Sequence, residues 1–503
     1  MSASQACPQH SVCVCCVTQR VSYSMRQPIV WRTMTDELHW KTASELGRMY
    51  RLREVSPVEV IDAVLERMEQ VHPSINIMVT TTADQARVSA REAEARLGSG
   101  EDLPPLFGVP MTVKDLAETA GVRTTYGSTA YADHVPDLDA IGWERLKEQG
   151  VILLGKTTTP EFGLLGVTES KLTGSTSTPW RPGYAAGGSS GGAAAAVVSG
   201  VGPVAWGSDG GGSIRVPSSL CGAVGIKPSI GRIPTRDNTD SDSTDGPIAR
   251  TVLDAAMVLD ATAGHHPADR FSVPREARSY ADAASAPGDL TGVRVGYCHD
   301  LGQKVLDAEV RRLFDRAVDD MRAAGASIEG VEIELPDTEY VFDLVNGYSY
   351  VDVLEELRRE GVEVWPSIRE LADRGSRLSG REVHGVHAVK TQIYNAFNDA
   401  MTGLDVLVTP TTAVSAFPSE GDKGPALQVG GHDTMPLGML IHMMTEPPSH
   451  AGLPALSVPG GFTDQGLPIG VQFIGRLWGD ADVISVAARY ERLNAWHEHH
   501  PAL

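Results

Sequence analysis

Apolar residues at Val60, Ile61, Val64, Leu65 and Met68 recur at the three- and four-residue spacing of a single helical face. Ser56-Pro57-Val58-Glu59, just ahead of them, has the form of a capping box with proline at the first helical position, so the pattern predicts a helix from about residue 57. Two further stretches, WERLKEQGVILLG (143 to 155) and VRRLFDRAVDDMRAAGASIEGVEI (310 to 333), pass from helical periodicity through a C-cap glycine into a strand. Short apolar runs at VRVGYC (293 to 298), LDVLVTP (404 to 410) and GVQFIG (470 to 475) predict more strands. Helices and strands alternating in this way predict an α/β fold. The polar run RDNTDSDSTD (236 to 245) and the Pro/Gly-rich stretch at 415 to 438 predict surface loops.

A chain of 503 residues can bury a large core, and its net charge of −21 disfavours a nucleic-acid surface while suiting a cytoplasmic protein. Four of the six cysteines, Cys7, Cys13, Cys15 and Cys16, crowd the start, leaving Cys221 and Cys298 for the body, too few for a disulfide framework. Residues 1 to 33 lack the apolar core of a secretory signal and read as a disordered extension ahead of Met34; a Cys/His knuckle with His10 has irregular spacing. The 27 uncharged residues between Arg181 and Asp209 hold eight glycines, four serines and two prolines, which is too polar for a membrane span. No metal or other cofactor is expected in the body of the chain, and a homo-oligomer stays open.

Three glycine-bearing motifs compete for the chemistry. GVILLGKT (Gly150 to Thr157) matches the phosphate-loop pattern and would give Lys156 to a nucleotide, but its middle residues are themselves the predicted strand, whereas a phosphate loop follows its strand. GGSSGG (Gly187 to Gly192) matches G-x-S-x-G, and a Ser190 nucleophile elbow would make an α/β-hydrolase esterase; the preceding TPWRPGY is loop by composition, where an elbow needs a strand. The third reading takes GGSSGGAAAAVVSGVGPVAWGSDGGGSIRVPSSLCGAVGIKPS (187 to 229) whole. This stretch resembles the signature of the amidase signature family of serine hydrolases. The resemblance extends through GVPMTVKDL (108 to 116), LLGKTTTPEFG (153 to 163), GPIARTV (246 to 252), LVTPT (407 to 411) and AGLPALSVPGGFTDQGLPIGVQFIG (451 to 475).

That resemblance implies a large twisted mixed sheet covered by helices on both faces, in one domain spanning 34 to 503 with a signature core at about 108 to 260. It also implies a Ser–cis-Ser–Lys triad: Ser213 as nucleophile, Ser189 as bridge after a cis peptide from Gly188, and Lys114 as base. The two serines are 24 residues apart, as the family motif leads one to expect. The chemistry agrees with these residue types. A serine hydroxyl needs an adjacent base, and lysine serves only when neutral, which demands a pKa lowered by burial away from a carboxylate. Strand alternation points Asp115 to the face opposite Lys114. The amides of Gly210, Gly211, Gly212 and Ser213 can converge on an oxyanion because no Cβ stands in the way, with Asp209 and Arg215 as scaffold of the loop.

Two positions depart from the usual family pattern: Gly210 where a threonine-like residue is common, and Ala193 where serine is frequent. The A subunit of glutamyl-tRNA amidotransferase is the rival within the family, but Val216 stands where that subunit carries glutamine. The resemblance therefore implies a stand-alone amidase acting on small carboxamides, with esters and carbamates as further candidates. Substrate choice is assigned to about 335 to 450, where Tyr348, Tyr350, Trp365, Tyr394 and Phe397 are candidate pocket residues and Met435, Met439 and Met443 fall at helical spacing.

Overall fold

Ser56 caps its helix as its sequence requires. The hydroxyl accepts from Val58 N–H at 3.0 Å, the Glu59 carboxylate accepts from Ser56 N–H at 2.8 Å, and the helix runs Pro57–Ile75 with Val60, Ile61, Val64 and Leu65 buried. The computed structural model describes residues 38–99, 101–236, 242–359, 361–419, 428–429, 432–433 and 441–503. The segment 1 to 33 with its cysteines, and Met435 and Met439, lie outside the described residues.

Both helix–glycine–strand units form: the Ile141–Glu148 and Ala308–Ala323 helices end before Gly150 and Gly325, whose φ values of +74° and +96° suit glycine. Among the described residues eleven strands make one mixed sheet: β1 (Met78–Thr81), β2 (Pro110–Lys114), β3 (Ile152–Thr157), β4 (Val204–Asp209), β5 (Val224–Lys227), β6 (Thr244–Ala249), β7 (Arg294–Tyr297), β8 (Ser327–Gly330), β9 (Val406–Pro410), β10 (Ala455–Phe462) and β11 (Pro468–Ile474). Their order across the sheet is β1-β3-β2-β4-β6-β5-β10-β11-β9-β7-β8. β3, β2 and β4 are parallel, as are β9, β7 and β8; the remaining pairs are antiparallel.

One loop expectation is corrected. Thr244 and Asp245, inside the polar run, begin β6, because ladder pairing of Asp209 with Thr244 and Ser208 with Asp245 outweighs their turn-forming composition. Residues 237 to 241 of that run are outside the described residues. Within the Pro/Gly-rich stretch, Gln428–Val429 pairs with His432–Asp433.

Helices cover both faces. Successive β4 residues serve different cores: Ala205 packs with Ala193–Val198 and the Pro57–Ile75 helix, and Trp206 with Val113, Val252 and Leu259. The Gly191–Val198 helix lies close to the sheet because its residues are small; a Cβ on Gly192 would fall 2.4 Å from Thr158 Oγ1. The arrangement brings the carboxyl ends of parallel β2 and β4, Lys114 and Asp209, to one edge, with Ser189 just ahead of that helix. Carboxyl ends of parallel strands are where α/β folds hold ligands. No helix among the described residues is long and apolar enough to cross a membrane.

Candidate active site

Lys114 ends a strand in which every residue is buried, and its ammonium meets hydroxyls rather than a carboxylate. Nζ donates to Ser189 Oγ at 2.7 Å and to Ser208 Oγ at 3.0 Å. Burial pulls its pKa from 10.5 down to about 7, against the opposing pull of Asp209 and Asp245. Asp115 turns away, as strand alternation requires, and accepts from Thr125 N–H at 2.9 Å and from the Thr125 hydroxyl. The Gly188–Ser189 peptide is cis.

Ser189 and Ser213 line one cavity of about 80 Å³, together with Gly210, Gly211, Leu116 and Phe162. The two hydroxyls make no hydrogen bond with each other among the described residues; such catalytic contacts are often long until substrate tightens them. Ser190, the elbow candidate, is fully buried behind the site: its N–H donates to Ser213 O at 3.1 Å and its hydroxyl to Ser208 O at 3.3 Å. Among the described residues no strand leads into it. Lys156, the phosphate-loop candidate, is enclosed, donating to Thr119 Oγ1 at 2.9 Å and Thr124 Oγ1 at 2.8 Å from inside β3.

The glycine loop is held from both sides. Asp209 and Arg215 form a fully buried ion pair at 2.8 Å, and Arg215 also reaches Gln472 Oε1 and Ser449 Oγ, both at 2.7 Å. Burial pushes Asp209 up, but Arg215 and Lys227 overrule it and hold the carboxyl at about 2. Breaking such a buried pair from one side costs about 3–5 kcal/mol. Asp209 also accepts from Gly212 N–H at 2.7 Å and Ile214 N–H at 3.2 Å. That narrows the four-amide expectation: Gly212 gives its N–H to the scaffold, whereas Gly210, Gly211 and Ser213 border the cavity and their amides have no acceptor among the described residues. Gly212 is glycine for another reason, since at φ +132° a Cβ would sit 2.0 Å from Thr445 Oγ1. A Cβ on Gly210 would meet nothing nearer than Ser243 at 3.7 Å, so the threonine-like residue expected there has room.

Four residues with roles at the site escape sequence reasoning. Thr445 Oγ1 donates to Gly211 O at 2.7 Å and His442 Nδ1 lies 3.2 Å from the same carbonyl, which fixes the peptide orientation; burial pulls His442 down to about 4 and keeps it neutral. Asp242 and His450, paired at 3.1 Å, border the cavity itself. Of the aromatic candidates, Tyr350 lines the cavity, its hydroxyl donating to Phe162 O at 3.2 Å. Phe397 is core, Tyr394 packs against that core and Tyr348 is exposed. A larger cleft of about 940 Å³ abuts the cavity at Leu164 and passes His442; residues 335 to 338, with Ser367, Ile368, Glu370, Leu371 and Arg374, supply part of its wall.

A family model described as Amidase matches residues 59–484. The chain belongs to the amidase signature family. This amidase, a hydrolase of carboxamide C–N bonds, is 37% identical over 477 residues to the acylamidase of Rhodococcus erythropolis, covering 93% of this chain and 99% of the relative. It is 34% identical over 499 residues to the A subunit of the glutamyl-tRNA(Gln) amidotransferase of Roseiflexus sp. (strain RS-1), covering 93% and 99%. Its fold matches a bacterial aryl acylamidase of the amidase signature enzymes with a TM-score of 0.85 at 29% identity, covering 92% of this amidase and 98% of that chain.

Proposed function

We propose that this amidase works through an acyl-enzyme on Ser213, with Ser189 as proton bridge and Lys114 as base. The observation that carries the reading is the 2.7 Å bond from Lys114 Nζ to Ser189 Oγ at the wall of a cavity that also holds Ser213. With its pKa near 7, Lys114 is substantially neutral at physiological pH. As Ser213 Oγ attacks the carbonyl carbon, its proton passes to Ser189, whose own proton passes to Lys114. The amides of Gly210, Gly211 and Ser213 receive the oxyanion, which is worth about 3–4 kcal/mol per well-placed donor. Collapse breaks the C–N bond, and the proton returns by the same route to the leaving nitrogen. Water then repeats the attack on the ester and frees Ser213.

Small carboxamides, aryl acylamides among them, are the proposed substrates, with esters and carbamates accepted through the same acyl chemistry. Likeness to the acylamidases supports this choice. The amidotransferase reading has less support, because Val216 is packed in an apolar cluster with Ala185 and Leu220 where that subunit carries glutamine. The acidic charge of −21 and the two free buried cysteines of the body suit a cytoplasmic enzyme with no nucleic-acid surface.

The test is a rapid-mix burst of 4-nitroaniline or 4-nitrophenol from anilide, ester and carbamate substrates. The wild type gives a burst equal to the enzyme concentration with the ester, and Ser213→Ala abolishes it. Full activity in Ser213→Ala would move the nucleophile elsewhere.

A further inference from the structure

A second polar group faces the cavity and is not used by the acyl-transfer steps. His450 is 5% exposed, and its Nδ1 lies 3.1 Å from Asp242 Oδ2. Asp242 accepts from Lys390 Nζ on its other oxygen at 2.7 Å, so the carboxylate that orients the ring is itself anchored. Nε2 of His450 is buried and has no hydrogen-bond partner among the described residues. An imidazole tied through one nitrogen has its tautomer and orientation set by that bond. In the tautomer with Nδ1–H given to Asp242, the acceptor lone pair is on Nε2. A buried acceptor left unmade is costly, and native structures rarely tolerate one without a purpose.

The pair is not the base of a serine triad. Ser189 Oγ already receives the Lys114 ammonium at 2.7 Å, and no serine hydroxyl is bonded to His450 among the described residues. The walls around His450 include the apolar Leu116, Phe162, Leu164 and Val345, with Ser243 and Asn346 as further polar neighbours. A site with a few oriented polar atoms on a largely apolar wall discriminates by those atoms.

We propose that His450 is a substrate-binding residue, whose Nε2 accepts a hydrogen bond from a hydroxyl or N–H that the substrate carries beside its scissile amide. The enzyme thereby selects carboxamides bearing such a donor over isosteric apolar ones. This rests on the assignment of Ser213 as nucleophile, which places the scissile carbonyl in the same cavity. Sites built to bond a substrate hydroxyl reject the analogue lacking it far more strongly than apolar pockets reject an added methyl.

The experiment measures kcat/KM for two isosteric pairs: 2-hydroxyacetyl against propionyl 4-nitroanilide, and the acetyl amides of 2-aminophenol against 2-methylaniline. The wild type is expected to favour the hydroxylated member of at least one pair by about tenfold or more. His450→Leu brings that ratio to about one or below, mainly through KM, and His450→Gln, which keeps a polar end, retains a preference. His450→Met serves as the apolar variant if the leucine protein does not fold, and an ester burst counts the intact sites in each preparation. No preference in either pair for the wild type, or an unchanged ratio in the apolar variant, overturns the proposal. Failure of the nucleophile assignment reads differently, as turnover of all four amides by Ser213→Ala.

Discussion

Lys114 and Lys156 are two buried lysines on neighbouring parallel strands, and their surroundings differ. Val113, not Lys114, is the register partner of Lys156, so the two ammonium groups leave the sheet on opposite faces. Burial lowers both, Lys114 to about 7 and Lys156 to about 8. Lys156 is closed in by Thr119, Thr124 and the carbonyl of Ala117, with Asp115 as its counter-charge. Lys114 meets Ser189 and Ser208 beside a cavity. Burial makes a neutral lysine accessible near pH 7, but only a hydroxyl partner at a cavity gives it a proton to take.

The largest effect expected from this contrast is in Lys114→Ala, which should lower kcat by about 10³-fold or more, in the range of a lost general base, while thermal unfolding shows a folded protein. Lys156→Met should do the reverse: it strands the Asp115 carboxylate and costs about 3–5 kcal/mol in denaturant unfolding, with kcat per folded molecule within about twofold of wild type. If Lys156→Met proved as inactive as Lys114→Ala without losing stability, the distinction between the two lysines would collapse. The pH profile sharpens it further. The base must be neutral, so kcat/KM should rise with pH through about 7 and level off above, an acid limb well below the 10.5 of an ordinary lysine. Asp245, whose own carboxyl is raised to about 6 by burial, favours the charged form of Lys114. Asp245→Asn should therefore move the acid limb to lower pH and raise the rate severalfold at its foot, the smallest of these effects. An acid limb that moves upward in this variant would show that another group titrates.

The helix at Pro57, both helix–glycine–strand units and the strands at 294, 406 and 468 were legible because each carries its signal locally, in a cap, a period or a C-cap glycine. The resemblance to a family signature singled out Lys114, Ser189 and Ser213 from three separate places in the chain, and the structure sets Lys114 against Ser189 at the cavity that Ser213 also lines. The polar wall of the cavity was not legible. Asp242 is one aspartate in a run of similar Asp, Ser and Thr residues, and its partner His450 is 208 positions away. Thr244 and Asp245, at the end of that run, read as loop until β4 pairs with them. Aromatic type alone could not separate Tyr350 at the cavity from Phe397 in the core. That Gly212 gives its N–H to Asp209 was illegible for a related reason: it depends on a loop shape that composition does not encode.

The two clamps on the glycine loop join segments far apart along the chain. Gly211 O is held by residues 231 and 234 positions away, and Arg215 by Gln472 at a separation of 257. Contacts of such sequence distance form only after most of the intervening chain has been organised, since each must first meet the entropy of closing a long loop. Recovery of turnover on refolding is thus a readout of chain closure as a whole, and helical signal returning ahead of activity would mark the interval in which the glycine loop is present but not yet clamped.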